Sequence, residues 1–398
     1  MPRNVWVMSM TIIATLTCVY SWYRVLPNHL RHLGASEAQV GLAFMILAQA
    51  HRIPQILGGL LADRVGRKRT LVTATFLMAP MYALTGLMST WSGVLLALGA
   101  CWLCGAILGP SLTTIVADSV PEEKRGRAIG MLDTCAMAAV CVGPWVGGRI
   151  LEAIGDFRTT MTILLLLTAG VYIVVATLRG IFLVETHSCR DRFTLQEARL
   201  NSLWLLGILG ILICATAFLS TDGPFFALYA QDVIHLGESR INDAAFLGGL
   251  AGLLAAIIGG RLVDRIGTQR VLVASFVSLS LLLLPFAWAW ATRRTLLPGT
   301  GYALYVALFA PAEVFSIAYQ KLLTSSAPRK HRALHVGLIG TVTGVFAAVA
   351  NLAGGALYQG QGPAAPFALG ALCATTGTVM AIVLWRKTRG EGRVLQQA

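Results

Sequence analysis

Twelve long apolar runs, separated by short stretches of glycine, proline and charge, limit what this chain can fold into. They cover residues 5–26, 38–60, 70–89, 92–116, 128–150 and 159–183, then 203–230, 243–263, 270–291, 297–322, 335–358 and 366–385. A bilayer core takes about 20 apolar residues per helix, and each run has that length. In lipid, backbone N–H and C=O groups must bond within the segment or within a closed barrel. Runs of this length therefore become helices. Water is the wrong solvent for the outside of such a fold, because only 12% of residues are charged against roughly 25% in soluble domains. The expected fold class is an all-α polytopic membrane protein, with 12 transmembrane helices in two pseudo-symmetric six-helix halves. The first half is expected at 1–184 and a cytoplasmic linker at 185–202. The second half follows at 203–390, with a cytoplasmic tail at 391–398.

Charge position sets the orientation. The net charge of +13 does not gather into one basic domain, so nucleic acid is not the expected partner; the bilayer is. With an even number of spans both termini share one side. If that side is cytoplasmic, 23 of the 31 Lys and Arg residues fall on it, seven fall outside, and Arg52 lies within a span. Positive residues stay inside, so the chain is expected in the cytoplasmic (inner) membrane with both termini in the cytoplasm. The first run carries no A-x-A-like cleavage site and reads as an uncleaved span.

The halves repeat one another. Leu33-Gly34-Ala35-Ser36 matches Leu236-Gly237-Glu238-Ser239. Pro121, Arg125 and Gly130 match Pro328, Arg332 and Gly337 at a constant offset of 207, and Gly147-Gly148 matches Gly354-Gly355 at the same offset. The most charged punctuation, Gly58-Gly59-Leu60-Leu61-Ala62-Asp63-Arg64-Val65-Gly66-Arg67-Lys68-Arg69, has a weaker copy at Gly259 to Arg270. Parallel repeats with a site near the midplane are a transporter plan.

These residues carry a resemblance. Gly59, Asp63, Arg64, Gly66, Arg67 and Lys68 resemble the loop 2–3 signature of the major facilitator superfamily. Asp118, Pro121, Arg125, Gly126, Arg127 and Gly130 resemble its loop 4–5 pattern. Gly143-Pro144-Trp145-Val146-Gly147-Gly148 is similar to the helix 5 motif of its antiporter branch, with Asn351 where the second half would need the proline. The resemblance implies a secondary transporter that exports a small organic drug or metabolite in exchange for protons. Small residues let helices approach closely in lipid, and Pro144 removes a hydrogen bond and bends span 5. Asp118 is placed to accept Arg67 or Arg64, and such pairs would latch a cytoplasmic gate.

Ionisable groups within spans usually mark function. Glu313 in span 10, after Pro311, is the first candidate proton carrier, and Asp222 beside Gly223-Pro224 is the second. Asp133 is expected near an interface. Span 1 has no acid, so the coupling scheme of some drug-exporting relatives is in doubt here. Arg52, Tyr20, Tyr23, Phe226 and Tyr319 are the cavity candidates, with Arg52 read either as a cavity group or as a side chain snorkelling to the interface. Cys101 and Cys104 form a C-x-x-C without a second pair and are read as packing residues. His29 and His32 are read as solvated loop histidines, with a metal site as the alternative. No cofactor or metal is expected, and two six-helix halves suffice for a monomeric carrier. The competing readings are a proton-coupled importer or facilitator and a non-transporting membrane sensor. No H-E-x-x-H, G-x-S-x-G or Walker pattern supports an enzyme.

Overall fold

The computed structural model describes residues 2–186, 203–326 and 332–397. The expected linker lies almost wholly outside the described residues, as do the side chains of Asp63, Arg125, Asp133 and the tail after 386. Among the described residues the chain is all helical and has no strand. The elements are α1 (Arg3–Tyr23), α2 (Leu26–His32), α3 (Glu37–Arg52), α4 (Gln55–Val65), α5 (Arg67–Leu87), α6 (Trp91–Asp118), α7 (Glu122–Ile154) and α8 (Phe157–Phe182). They continue as α9 (Leu203–Ser220), α10 (Phe225–Asp232), α11 (Glu238–Ile266), α12 (Thr268–Thr292), α13 (Pro298–Ser326), α14 (Arg332–Gln361) and α15 (Ala365–Gln397).

Three runs expected as single helices are broken. Span 1 stops at Tyr23 and restarts at Leu26, where Pro27 sits in the first turn and does without a partner for its missing N–H. Span 2 breaks at Ile53–Pro54, and span 7 breaks across Thr221–Pro224. Each proline disfavours a helical residue before it. Eleven helices are long and apolar enough to cross a membrane among the described residues. Span 2 is the further one, because its 16- and 11-residue pieces are each shorter than a bilayer core requires. Pro80, Pro144, Pro285 and Pro311, in contrast, sit inside continuous helices. Their freed backbone groups do not end the helix in a packed bundle.

Two compact units form. One contains 1–36, 46–195 and 236–246; the other contains 37–45, 196–235 and 247–398. The first turns of α3 thus belong to the second unit, and those of α11 to the first. Within the first unit α1 packs on α7 and α8, and α5 packs on α6 and α8. Within the second, α9 packs on α14 and α15, and α12 packs on α13 and α15. These four pairings repeat between the units, while α4 also packs on α5 and α6 without a match of that extent for α11 among the described residues.

One face of the first unit gathers the start of α1 and the ends of α6 and α8. Val5, Met8, Ile12, Leu71, Ile115, Val116 and Leu183 form its core. Asn4 ties the three helices there: its Nδ2 donates to Ser119 Oγ (2.8 Å) and Val184 O (3.0 Å), and its Oδ1 accepts from Val184 N (2.8 Å). Leu96, Leu87, Ile181 and Leu372 lie on the outer surface, each more than 60% exposed. Apolar exposure on that scale requires lipid.

Candidate functional site

The charged punctuation between α4 and α5 is built on one turn residue. Gly66 has φ +107° and is all that separates the two helices, and Gly267 with φ +95° does the same between α11 and α12. An L side chain rarely adopts such angles. The turn delivers Arg67 to the first position of α5, where it forms an ion pair with Asp118 at the end of α6. Of the two arginines expected near Asp118, the structure brings Arg67 to it, while Arg64 is exposed. Gly59 and Asp63 lie in α4.

Sequence reasoning placed Glu185 in the linker and missed its role. Its carboxylate accepts from Arg67 N (3.1 Å) and Lys68 N (3.1 and 3.3 Å). An anion at a helix N-terminus satisfies orphan N–H groups and meets the positive end of the dipole. Glu185 thereby fastens the end of α8 to the same turn. Arg179, one turn earlier, was also missed. It is 2% exposed and donates from Nε to Thr11 Oγ1 (3.1 Å) and from Nη1 to Thr75 Oγ1 (3.0 Å). A buried cation on hydroxyls from α1 and α5 joins three helices, and no local pattern announces it.

The Gly-Pro motif lies in α7. A side chain at Gly143 would meet Thr17 O (2.8 Å) and Tyr20 Cβ (2.7 Å), and one at Gly147 would meet the Ser21 backbone, its Cα at 3.0 Å. These positions let α7 lie directly on α1. Gly148 faces the other way, toward Ser239, Asn242 and Asp243. The next residue, Arg149, donates to both oxygens of Asp243 (2.8 and 3.0 Å) and pairs with Glu152 (2.6 Å). Glu152 in turn accepts from Ser239 Oγ at 2.6 Å. His32 Nε2 lies 3.5 Å from Glu238. The motif therefore ends in a charge network at the face of the first unit opposite Asn4, between the end of α7 and the start of α11.

The histidines of α2 differ from each other. His32 is exposed, with its ring 5.0 Å from that of Phe157. His29, expected in solvent, is 4% exposed; α2 folds inward onto Phe157, 6.2 Å away. Burial pushes its imidazole down to about 4, helped by the charges of His32 and Arg158. Among the described residues no group of three His, Cys, Asp or Glu is placed to hold a metal. Cys101 is buried, and its thiol faces Met78 O at 3.9 Å.

The second unit holds the intramembrane acids. Glu313 is half-buried on α13, with its Cγ 3.1 Å from where a Gly252 side chain would start on α11. Asp222 sits in the break between α9 and α10, exposed, its N–H bonded to Ala217 O (2.8 Å). The two carboxyls are close enough to interact electrostatically. Phe226 is 2% exposed and stacks on Tyr305 (3.3 Å, 3°). Tyr319 is 9% exposed and stacks on Phe315 (5.7 Å, 19°). The structure places both rings in packing rather than along an open wall.

The remaining cavity candidates come together in the first unit. Tyr20 and Tyr23 meet edge to face (5.8 Å), Tyr23 leans on Trp102 of α6 (5.9 Å), and Trp102 meets His51 edge to face (6.0 Å). The Arg24 guanidinium lies 5.9 Å from the Tyr20 ring centre. Arg52 ends α3, half-buried. A cation at mid-membrane costs roughly 2.5–3.5 kcal/mol on insertion scales, and the helix C-terminus it sits on returns only about 0.3–1 kcal/mol. A separate groove of about 650 Å³ between α1 and α8, along Met10, Ala14, Leu166, Leu167, Gly170 and Val174, lacks convergent polar groups and is no match for a specific site.

Known proteins share this architecture. A model of the Major Facilitator Superfamily matches residues 5–319 and, in a second alignment, 212–397. Among curated proteins, a "Multi-drug resistance efflux pump PmrA homolog" of Lactococcus lactis is 27% identical over 289 residues, covering 66% of this chain and 67% of that protein. "Multidrug resistance protein MdtG" of Serratia proteamaculans is 29% identical over 308 residues, covering 71% and 72%. The matched part thus spans about two thirds of such relatives. Among solved structures, a POT family transporter in complex with 5-aminolevulinic acid superposes with TM-score 0.76 at 14% identity, covering 96% of each chain. The human organic anion transporter MFSD10 superposes with TM-score 0.67 at 16% identity, covering 95% of this chain and 99% of that one. The shared fold, the loop signature and the family match agree: the chain belongs to the Major Facilitator Superfamily and is a multi-pass membrane transporter of small molecules, not an enzyme.

Proposed function

We propose that the protein exports a small organic compound across the cytoplasmic membrane in exchange for protons, by alternating access, as a monomer with both termini in the cytoplasm. Two six-helix halves, 1–184 and 203–390, would rock about a site at mid-membrane, joined by a linker at 185–202. The observation that carries the exchange is Glu313. It is a carboxyl inside a spanning helix, half-buried, with a second carboxyl, Asp222, in electrostatic reach. Two like charges that interact resist simultaneous ionisation, which suits a group that must take up and release a proton. Export over import is favoured by the Gly-Pro motif in α7 and by similarity to proteins named multi-drug resistance efflux pumps.

Gating falls to the first unit in this reading. Arg67–Asp118, with Glu185, would close the cytoplasmic face in one state. Arg149, Asp243 and Glu152 would hold the outer face in the other. A ligand shifts such an equilibrium only by its difference in affinity for the two states, so each network needs to be breakable.

The test uses a compound found by screening a deletion strain for lost resistance. In proteoliposomes with an imposed pH gradient and an internal pH dye, adding that compound is expected to dissipate the gradient. A gradient unaffected by a compound that is demonstrably moved would refute proton exchange. Counterflow in inverted vesicles separates export from import.

A further inference from the structure

Arg52 is the group the gating and coupling scheme leaves unused. It follows the first residue of α3, Glu37, by 15 positions and precedes the last residue of α4, Val65, by 13. At about 1.5 Å per residue it lies roughly 20 Å from either end. The interface lies nearer than the helix ends, because span 2 as read from the sequence closes at residue 60, roughly 12 Å from Arg52, still farther than its side chain extends. Among the described residues the Arg52 side chain makes no hydrogen bond or ion pair. The chain also breaks immediately after it, at Ile53–Pro54, and interrupted helices at membrane depth occur where the backbone lines a cavity or a protein interior.

The residue beside Arg52 in sequence, His51, stands in an aromatic setting. His51 is exposed and near enough to Arg52 for the two charges to interact. Trp102 of α6 meets the His51 ring at 6.0 Å and is itself half-buried. One turn along α6, Gly105 leaves room beside His51: a side chain there would start 3.8 Å from His51 Nδ1. Tyr23 continues the surface from Trp102 at 5.9 Å.

We propose that Arg52, with its neighbour His51 and the Trp102 ring that meets His51, binds an anionic group attached to a flat apolar body, so that the transported compounds are amphiphilic aromatic anions. A guanidinium offers a planar fork that fits a carboxylate or sulfonate with two hydrogen bonds. The indole and phenol rings supply a stacking surface for the rest of the molecule. A lipophilic cation would meet Arg52 with like charge. This assignment rests on the transporter reading, and it concerns what is moved rather than what drives it.

The test uses the full chain in proteoliposomes and two radiolabelled probes of opposite sign, 1-naphthoate and tetraphenylphosphonium, with protein-free liposomes as the background. Wild-type protein is expected to move 1-naphthoate saturably, with competition by 2-naphthalenesulfonate and none by tetraphenylphosphonium. Arg52→Gln is expected to raise KM for 1-naphthoate about tenfold or more, the scale of one lost charge-assisted pair. Arg52→Lys should recover part of that loss, and Trp102→Leu should raise KM by a smaller factor. Wild-type protein that moves tetraphenylphosphonium and neither anion overturns the proposal, without reference to any variant. So does an Arg52→Gln protein with unchanged KM. Naphthoate flux that depends on Arg52 but ignores both the pH gradient and Glu313→Gln would remove proton exchange and leave this subsite standing. Proton-coupled flux of tetraphenylphosphonium that ignores Arg52 would do the reverse.

Discussion

The two units repeat the same four helix pairings and fill them with different chemistry. In the first, many cross-helix ties are polar: Arg67 to Asp118, Glu185 to the start of α5, Arg179 to Thr11 and Thr75, Asn4 to Ser119 and Val184, and Trp22 to Thr168 (3.1 Å), beside a ring contact of Tyr82 with Tyr172 (4.9 Å). In the second, more of them are rings: Phe226 on Tyr305, Phe276 on Phe315 (4.7 Å), Phe286 on Phe367 (4.5 Å), with Tyr229 edge-on to both of the last pair, beside a polar tie from Tyr358 Oη to Asp232 (2.7 Å). The repeated stretch shows the same divergence at two linked positions. Thr268 stands where Arg67 does, and Ser325 where Asp118 does, so both halves of the ion pair are absent together. Aromatic stacking does not need to be undone by charge, whereas an ion pair at a face can be broken and remade. In the proposed scheme the first unit carries the switching and the second holds Glu313.

The sharpest way to break this comparison is at paired glycines. A side chain at Gly147 meets the Ser21 backbone, which cannot yield. At the equivalent Gly354 it meets the Phe225 ring and Leu219 Cδ2 (2.8 Å), which can move. Overpacking costs typically 1–3 kcal/mol, occasionally more, so Gly147→Ala should lie at or above the top of that range and Gly354→Ala near the bottom. Melting temperatures in detergent check the order, and equal losses would show that the glycines do not differ in role.

Acid should act on the first unit through His29. Its buried imidazole has a pKa lowered to about 4 from 6.5. The unfolded chain therefore binds the extra proton first, and stability falls as pH drops from about 6.5 toward 4. At pH 5 the loss is about 2 kcal/mol. His29→Gln should flatten that part of the pH–stability curve, read by thermal melting between pH 7 and 4. An unchanged slope would mean another group titrates.

Thr75→Val deprives Arg179 of one acceptor and is expected to destabilise by about 1.5–2 kcal/mol, at the low end of the range for hydrogen bonds to charged groups and above the usual membrane value. Thr268→Val, in the repeat that lacks the pair, should change stability by about 0.5 kcal/mol or less. Arg67→Asp should impair transport and regain part of it with Asp118→Arg, whereas no charge pair exists to be rescued at Thr268.

Much of this was legible in the sequence for a physical reason. Span length, the Lys and Arg asymmetry and the 207-residue offset follow from lipid and duplication, both of which leave local patterns. The Arg67–Asp118 pair was legible because both residues sit at helix ends that topology forces to one face. Glu185, Arg179 and the Arg149–Asp243 network were not, since each depends on a partner 94 or more residues away. Proline was ambiguous too: Pro54 and Pro224 end helices while Pro144 and Pro311 sit inside them, and the neighbouring helices decide which. Phe226 and Tyr319 carry nothing in their identity that separates packing from lining.

The claim that the second unit carries the proton rests on Glu313, and one measurement addresses it directly. Proteoliposomes bearing wild-type or Glu313→Gln protein are loaded with a pH dye and given a gradient, and compound-driven proton flux is recorded beside compound counterflow. The account predicts that Glu313→Gln keeps counterflow and loses the proton flux. Full compound-driven proton flux in that variant would contradict it.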